Sequence, residues 1–145
     1  MINIKCIGHQ VAYELDNIKR LFEPYMAKDY EIESIYDKEK VYTLIYDDTQ
    51  IVCKNEQVVT LTGETLSDKR NIKNTLKKSL YEALVSITRV SMPWGTLTGI
   101  RPTKLVHDYQ KEGLSNKEII RKLEEEYLVS EEKIKLMLAV AEKEK

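Results

Sequence analysis

The period at which apolar and polar residues alternate changes several times along this chain, and each change predicts an element. Ile2-Asn3-Ile4-Lys5-Cys6 alternates with period two, as a half-buried strand does. Val11, Leu15, Ile18, Phe22 and Tyr25 then recur at spacings of three and four and, with Leu21, share one arc about 120° wide, which predicts a helix. Pro24 lacks the N–H a helix interior needs and helps to stop it. Four β-branched and Tyr-rich runs follow, Tyr30–Tyr36, Val41–Tyr46, Ile51–Lys54 and Val58–Thr62. The polar links between them, residues 37–40, 47–49 and 55–56, are short enough to favour an antiparallel meander.

From Ser67, a plausible N-cap, the period returns to that of a helix. Ile72, Leu76, Leu80, Leu84 and Ile87 form its stripe. Tyr81 and Val85 lie on the opposite face, so the second half of this helix is expected to be covered on two sides, by the sheet and by the C-terminal helices. A loop rich in Gly and Pro comes next, then a short helix from Thr103 to Glu112 ended by Gly113. Ser115-Asn116-Lys117-Glu118 is a capping box opening a helix with Ile119, Ile120, Leu123 and Tyr127 inward. Ser130 caps a last helix whose stripe is Ile134, Leu138 and Ala141. The pattern predicts an α+β domain over residues 1–91, a mainly antiparallel sheet with two packed helices. A Gly/Pro loop over 92–104 and a small all-helical C-terminal extension over 105–145 follow.

Charge alters this picture more than composition does. The net charge of −1 conceals a segment, residues 66–104, that carries +6 between flanks of −5 and −2. No apolar run is long enough to span a bilayer, and the N-terminus has the wrong flanks for a signal peptide, so a cytoplasmic protein without membrane contact is expected. Two cysteines, Cys6 and Cys53, and two histidines match neither a redox pair nor a zinc set, and no metal-binding residue is assigned. His9 is expected to cap the turn into the first helix, and His107 to pack. The carboxylates at 124–126 and 131–132 read as solvated helix surface, so no catalytic residue is assigned either.

The loop Trp94–Leu105 holds the most specific chemistry. Gly95 and Gly99 permit backbone angles closed to other residues, and Pro102 suits the first turn of a helix. Arg101 and Lys104 are thereby presented near a helix N-terminus, where a carboxylate or phosphate would fit. The alternative is that Trp94 and Leu97 plug a domain interface while Arg101 pairs with a nearby acid. Separately, the basic helix edge of Arg70, Lys73, Lys77 and Lys78, with Arg89, could be a footprint for nucleic acid or an acidic partner; a solvated helix face is the simpler account.

Pro93-Trp94-Gly95-Thr96-Leu97-Thr98-Gly99-Ile100-Arg101-Pro102-Thr103-Lys104, with Gly113-Leu114-Ser115 and the run from Tyr127 to Lys133, resembles the region ahead of the radical S-adenosylmethionine barrel in HemZ-type coproporphyrinogen dehydrogenases, relatives of the oxygen-independent coproporphyrinogen III oxidases. The resemblance implies a parent oxidoreductase of haem and porphyrin biosynthesis, which uses S-adenosylmethionine and a [4Fe-4S] cluster to abstract hydrogen from substrate propionates. The family's CxxxCxxC motif does not occur in these residues, and neither cysteine matches a ligand position. The chain therefore reads as the N-terminal accessory region of such an enzyme, with no cofactor of its own and its C-terminal radical SAM barrel as partner. Trp94, Arg101 and Lys104 are the candidates for docking that barrel or for holding a carboxylate-rich porphyrinogen. Weak self-association through Trp94 and Leu97 is also expected, and the other reading is a stand-alone module binding nucleic acid or an acidic partner over residues 69–104.

Overall fold

The computed structural model describes residues 4–97 and 102–144. The fold is α+β, and the chain divides into two compact units that meet in sequence between Ser91 and Met92. In the first unit, β1 (Ile4–Ile7) leads into α1 (Ala12–Phe22) and a 3-10 turn (Glu23–Tyr25). Strands β2 (Glu31–Asp37), β3 (Lys40–Asp47) and β4 (Gln50–Val58) and the long helix α2 (Thr65–Thr88) follow. The four strands form one sheet in chain order. β1 pairs with β2 in parallel, because α1 carries the chain back across the sheet, while the two-residue links leave β2, β3 and β4 antiparallel.

Register determines what the helices cover. Ile4, Ile32, Ile45 and Cys53 stand in one cross-strand row, and Cys6, Ser34, Thr43 and Asn55 stand in the next. Both rows share a face with Val41 and Gln57, and α2 lies over it at β3 and β4 with α1 alongside. Leu15, Ile18 and Phe22 of α1 and Leu76, Leu80 and Leu84 of α2 are fully buried there. Tyr81 is buried as the two-sided pattern requires, but its cover is α1: its ring meets Phe22 edge-on at a centroid distance of 5.5 Å.

Three boundaries differ from expectation, each for a physical reason. The runs at 51–54 and 58–62 are not two strands, since β4 continues through Asn55 and Glu56 to Val58. Asn55 and Gln57 face inward because Ser79 and Glu82 of α2 bond them: Ser79 Oγ donates to Asn55 Oδ1 at 2.9 Å and Gln57 Nε2 donates to Glu82 at 2.6 Å. Helix α2 begins at Thr65, ahead of Ser67. Asp68 accepts from the N–H groups of Thr62 and Gly63 at 2.7 and 2.9 Å, which fastens the loop before the helix. Tyr25 leaves the helical arc because α1 gives way to the 3-10 turn at Pro24, and it is exposed, as is Leu21.

The second unit is helical: α3 (Pro102–Lys111), α4 (Asn116–Tyr127) and α5 (Glu131–Lys143). Gly113 has φ +88° after α3, and the capping box is complete, with Ser115 Oγ accepting from the Glu118 N–H and Glu118 from the Ser115 N–H. Ser130 accepts from the Lys133 N–H. Val106, Ile119, Leu123, Ile134, Met137 and Ala141 form the core.

Candidate functional site

The Pro93–Leu97 segment is a tight turn clasped to the α4–α5 link. Within it the Gly95 N–H donates to Met92 C=O at 3.0 Å and the Leu97 N–H to Trp94 C=O at 3.1 Å. Across to the link, the Thr96 N–H and hydroxyl both donate to Tyr127 C=O, at 2.8 and 3.2 Å, and the Ser130 N–H donates to Pro93 C=O at 2.8 Å. Gly95 has φ +58°, and any Cβ placed there would collide with the backbone carbonyls of Tyr127 and Leu128. Glycine is required twice over, by conformation and by close approach. Leu128 caps α4 in the left-handed conformation, and Lys133 holds its ammonium 5.3 Å from the centre of the Trp94 ring.

Both apolar residues of the loop have contacts within the second unit. Leu97 is buried in the second unit's own core, and Trp94 packs on the same cluster, as do Leu105 and Tyr109. Leu97 is thereby covered, whereas Trp94 remains half-buried. Burial beside Tyr127 raises the Tyr109 phenol well above its ordinary pKa, as a filled core would.

Arg101 lies outside the described residues. Lys104 is exposed on the first turn of α3, in a groove of about 530 Å³ lined also by His107, Asp108, Gln110, Lys111 and Glu144. His107 Nε2 stands 3.5 Å from Glu144 Oε1, so this histidine reaches the end of α5 as well as packing. Trp94 and Lys104 have different surroundings on α5. Trp94 sits against Lys133 in the first turn of α5, whereas the Lys104 groove includes Glu144, about 16 Å further along that helix at 1.5 Å per residue.

The other candidates are largely occupied. Lys73 pairs with Glu14 of α1 at 3.2 Å, and Lys77 is buried, so the basic edge of α2 keeps less free cationic surface than its sequence suggests. Burial and the neighbouring Lys73 charge lower the Lys77 pKa, against the pull of Glu14. Glu126 and Glu131 form i,i+4 pairs with Lys122 and Lys135 on helix surface. Beside α1 a groove of about 1010 Å³ is lined by Asp16, Lys19, Arg20, Glu23 and Lys28. These charges answer one another or Asp47: Lys19 with Asp16 and Glu23, Arg20 with Asp16, Lys28 with Asp47.

His9 caps the turn as expected, accepting the Val11 N–H on Nδ1 at 3.2 Å. That assigns the proton to Nε2, which faces the Ser34 carbonyl and hydroxyl at 3.1 and 3.0 Å. Sequence reasoning missed this tie and the polar row of Thr43, Ser79, Asn55, Gln57 and Glu82 between sheet and helix, where Thr43 Oγ1 and Ser79 Oγ lie 2.8 Å apart. The signal was present in polar residues at inward strand positions, but reading it needed the register.

The thiols test whether a cluster fits this chain. Cys6 and Cys53 lie on β1 and β4, the two edge strands of the sheet, which are about 14 Å apart at the usual strand spacing, and in different cross-strand rows. Burial raises both above their ordinary pKa, disfavouring the thiolate a metal needs. Among the described residues no three His, Cys, Asp or Glu side chains are grouped to hold a metal ion, and no helix is long and apolar enough to cross a membrane. The residues do not fit an iron–sulfur cluster, which takes three or four thiolates.

Comparison with known proteins gives an informative likeness. The chain is 36% identical over 75 residues, 52% of its length, to the oxygen-independent coproporphyrinogen-III oxidase-like protein HemZ of Bacillus subtilis (strain 168). It spans 15% of the length of that relative. No family model matches the chain, and no solved structure does. The resemblance to HemZ-type proteins is thus supported by this similarity over 75 residues.

Proposed function

We propose that this chain is the N-terminal accessory region of an oxygen-independent coproporphyrinogen III oxidase-like radical SAM enzyme of the cytoplasm, with the cluster and S-adenosylmethionine held by a separate catalytic barrel. The similarity to HemZ carries the reading. The clasp supports it physically: of the segments on which the family resemblance rests, 93–104, 113–115 and 127–133, the first and last are hydrogen-bonded to each other through Pro93 and Thr96, so these parts act as one element. Lys104, on the exposed first turn of α3, is the described candidate for contact with that part or with a substrate carboxylate. No observation favours the nucleic-acid reading, since Lys73 is paired and Lys77 buried.

The test is anaerobic turnover of coproporphyrinogen III by the protein encoded by the reading frame extended beyond Lys145, reconstituted with iron, sulfide and S-adenosylmethionine. Turnover that is lost when cysteines of a downstream CxxxCxxC motif are changed to alanine supports the proposal. An extended frame without that motif, or a reconstituted protein that leaves the porphyrinogen unchanged, overturns it. Lys104→Ala separates the two roles: unaltered KM with poorer yield of folded enzyme assigns docking, and a raised KM with normal yield assigns substrate binding.

A further inference from the structure

Among the described residues no strand pairs with the outer edge of β4. Strand order leaves β4 with β3 as its neighbour, and at nine residues it is the longest strand of the sheet. Ile51, Val52 and Val58 on it are 50%, 43% and 66% exposed. The Val59 N–H donates to Glu39 C=O at 2.7 Å, and Val41 opposes Gln57 in the same register. In an antiparallel ladder the residues that bond a given neighbour alternate, so from Cys53 to Val59 the odd-numbered residues direct their N–H and C=O groups to β3; ahead of Cys53 the register shifts, and Val52 is the extra residue of a bulge. Lys54, Glu56 and Val58 direct theirs outward, as an unused template for another strand.

We propose that this edge pairs with the same edge of a second copy of the chain, antiparallel, about a two-fold axis at Asn55. Charge selects the register. An axis at Lys54 would set Lys54 against its own copy, and an axis at Glu56 would do the same with carboxylates. An axis at Cys53 leaves both charges without an opposite partner. With the axis at Asn55, Lys54 faces Glu56 of the second copy twice, and the regular pairing ends at the Val52 bulge. Lys54 and Glu56 lie on the face away from the helices, and their outward backbone groups meet in the hydrogen-bonded phase of the ladder. Asn55 stays on the inner face, held by Ser79 and Glu82. The interface is isologous and closes, giving one eight-stranded sheet with neither β4 edge exposed. It does not involve Trp94 or Leu97, which pack on the second unit's core.

Charge reversal tests the register directly. Sedimentation equilibrium of the 145-residue chain should show a concentration-dependent dimer. Lys54→Glu and Glu56→Lys should each weaken it by on the order of tenfold or more, because two attractive pairs become repulsive. The double variant Lys54→Glu/Glu56→Lys should recover the dimer, and a mixture of the two single variants should form a heterodimer. Far-UV circular dichroism should be the same for all, since both side chains are exposed. A native chain that stays monomeric at every concentration overturns the proposal. So does a dimer indifferent to either reversal, or one that the double swap does not restore.

Discussion

Gly95→Ala is expected to unfold the second unit while the first stays folded. An alanine at φ +58° costs about 1 kcal/mol in backbone strain. Its methyl group also cannot coexist with the carbonyls of Tyr127 and Leu128, so the turn must lift off the α4–α5 link. Lifting breaks the bonds from the Thr96 N–H to Tyr127 C=O and from the Ser130 N–H to Pro93 C=O, each costing about 1–3 kcal/mol where the group stays buried and unpaired. The sum, about 3–7 kcal/mol, is comparable with the whole stability expected for a unit of about 54 residues, about 3–8 kcal/mol. Trp94 is the single tryptophan of the chain, so its fluorescence in urea reports the second unit alone, while far-UV circular dichroism follows both. Gly113→Ala is the control: φ is +88° but nothing lies near a Cβ, so the loss should be confined to about 1–2 kcal/mol. A Gly95→Ala chain whose Trp94 transition moves no further than that of Gly113→Ala would refute the clasp.

Two further outcomes are expected in the first unit. Burial lowers the His9 pKa, offset in part by the Ser34 carbonyl, and the imidazolium would set an Nδ1–H against the Val11 N–H. A folded pKa below the unfolded value of about 6.5 means that the unfolded chain binds the extra proton first, so stability is full above that pH and falls as pH drops toward the folded pKa. An NMR titration of His9 with a midpoint at or above the unfolded value would contradict this. Lys77→Met should stabilise the first unit against urea by about 1 kcal/mol, because the buried stem is kept while a desolvated ammonium is removed. A urea midpoint that falls would show that the ammonium itself contributes to stability.

Residues related by short separations are legible from the chain's own local chemistry. Gly113 after α3, the Ser115–Glu118 box, the Ser130 cap and the short links of the meander depend on groups within a few positions of one another, so the sequence predicts them correctly. The antiparallel pairing of β2, β3 and β4 follows for the same reason, since a two-residue link cannot make a parallel pair. The Pro93–Leu97 motif could likewise be singled out from its glycine and proline. What it touches could not, because its partner, the Tyr127–Ser130 link, is about thirty residues away.

Tertiary structure decided the rest, chiefly where a local rule was outweighed by a distant contact. Asn55-Glu56 has the composition of a turn, yet it runs as strand because Ser79 and Glu82 satisfy the inward amides. Tyr81 is buried under Phe22 of α1, about sixty residues earlier in the chain, where the pattern could show only that something must cover it. Lys73 and Lys77 look like free cations along one helix, and the packing of α1 onto α2 pairs one and buries the other. Hydrophobic period and capping are properties of neighbouring residues, so the sequence alone determined the elements. Cover, charge pairing and close backbone approach depend on which elements come together, and only the folded chain determined those.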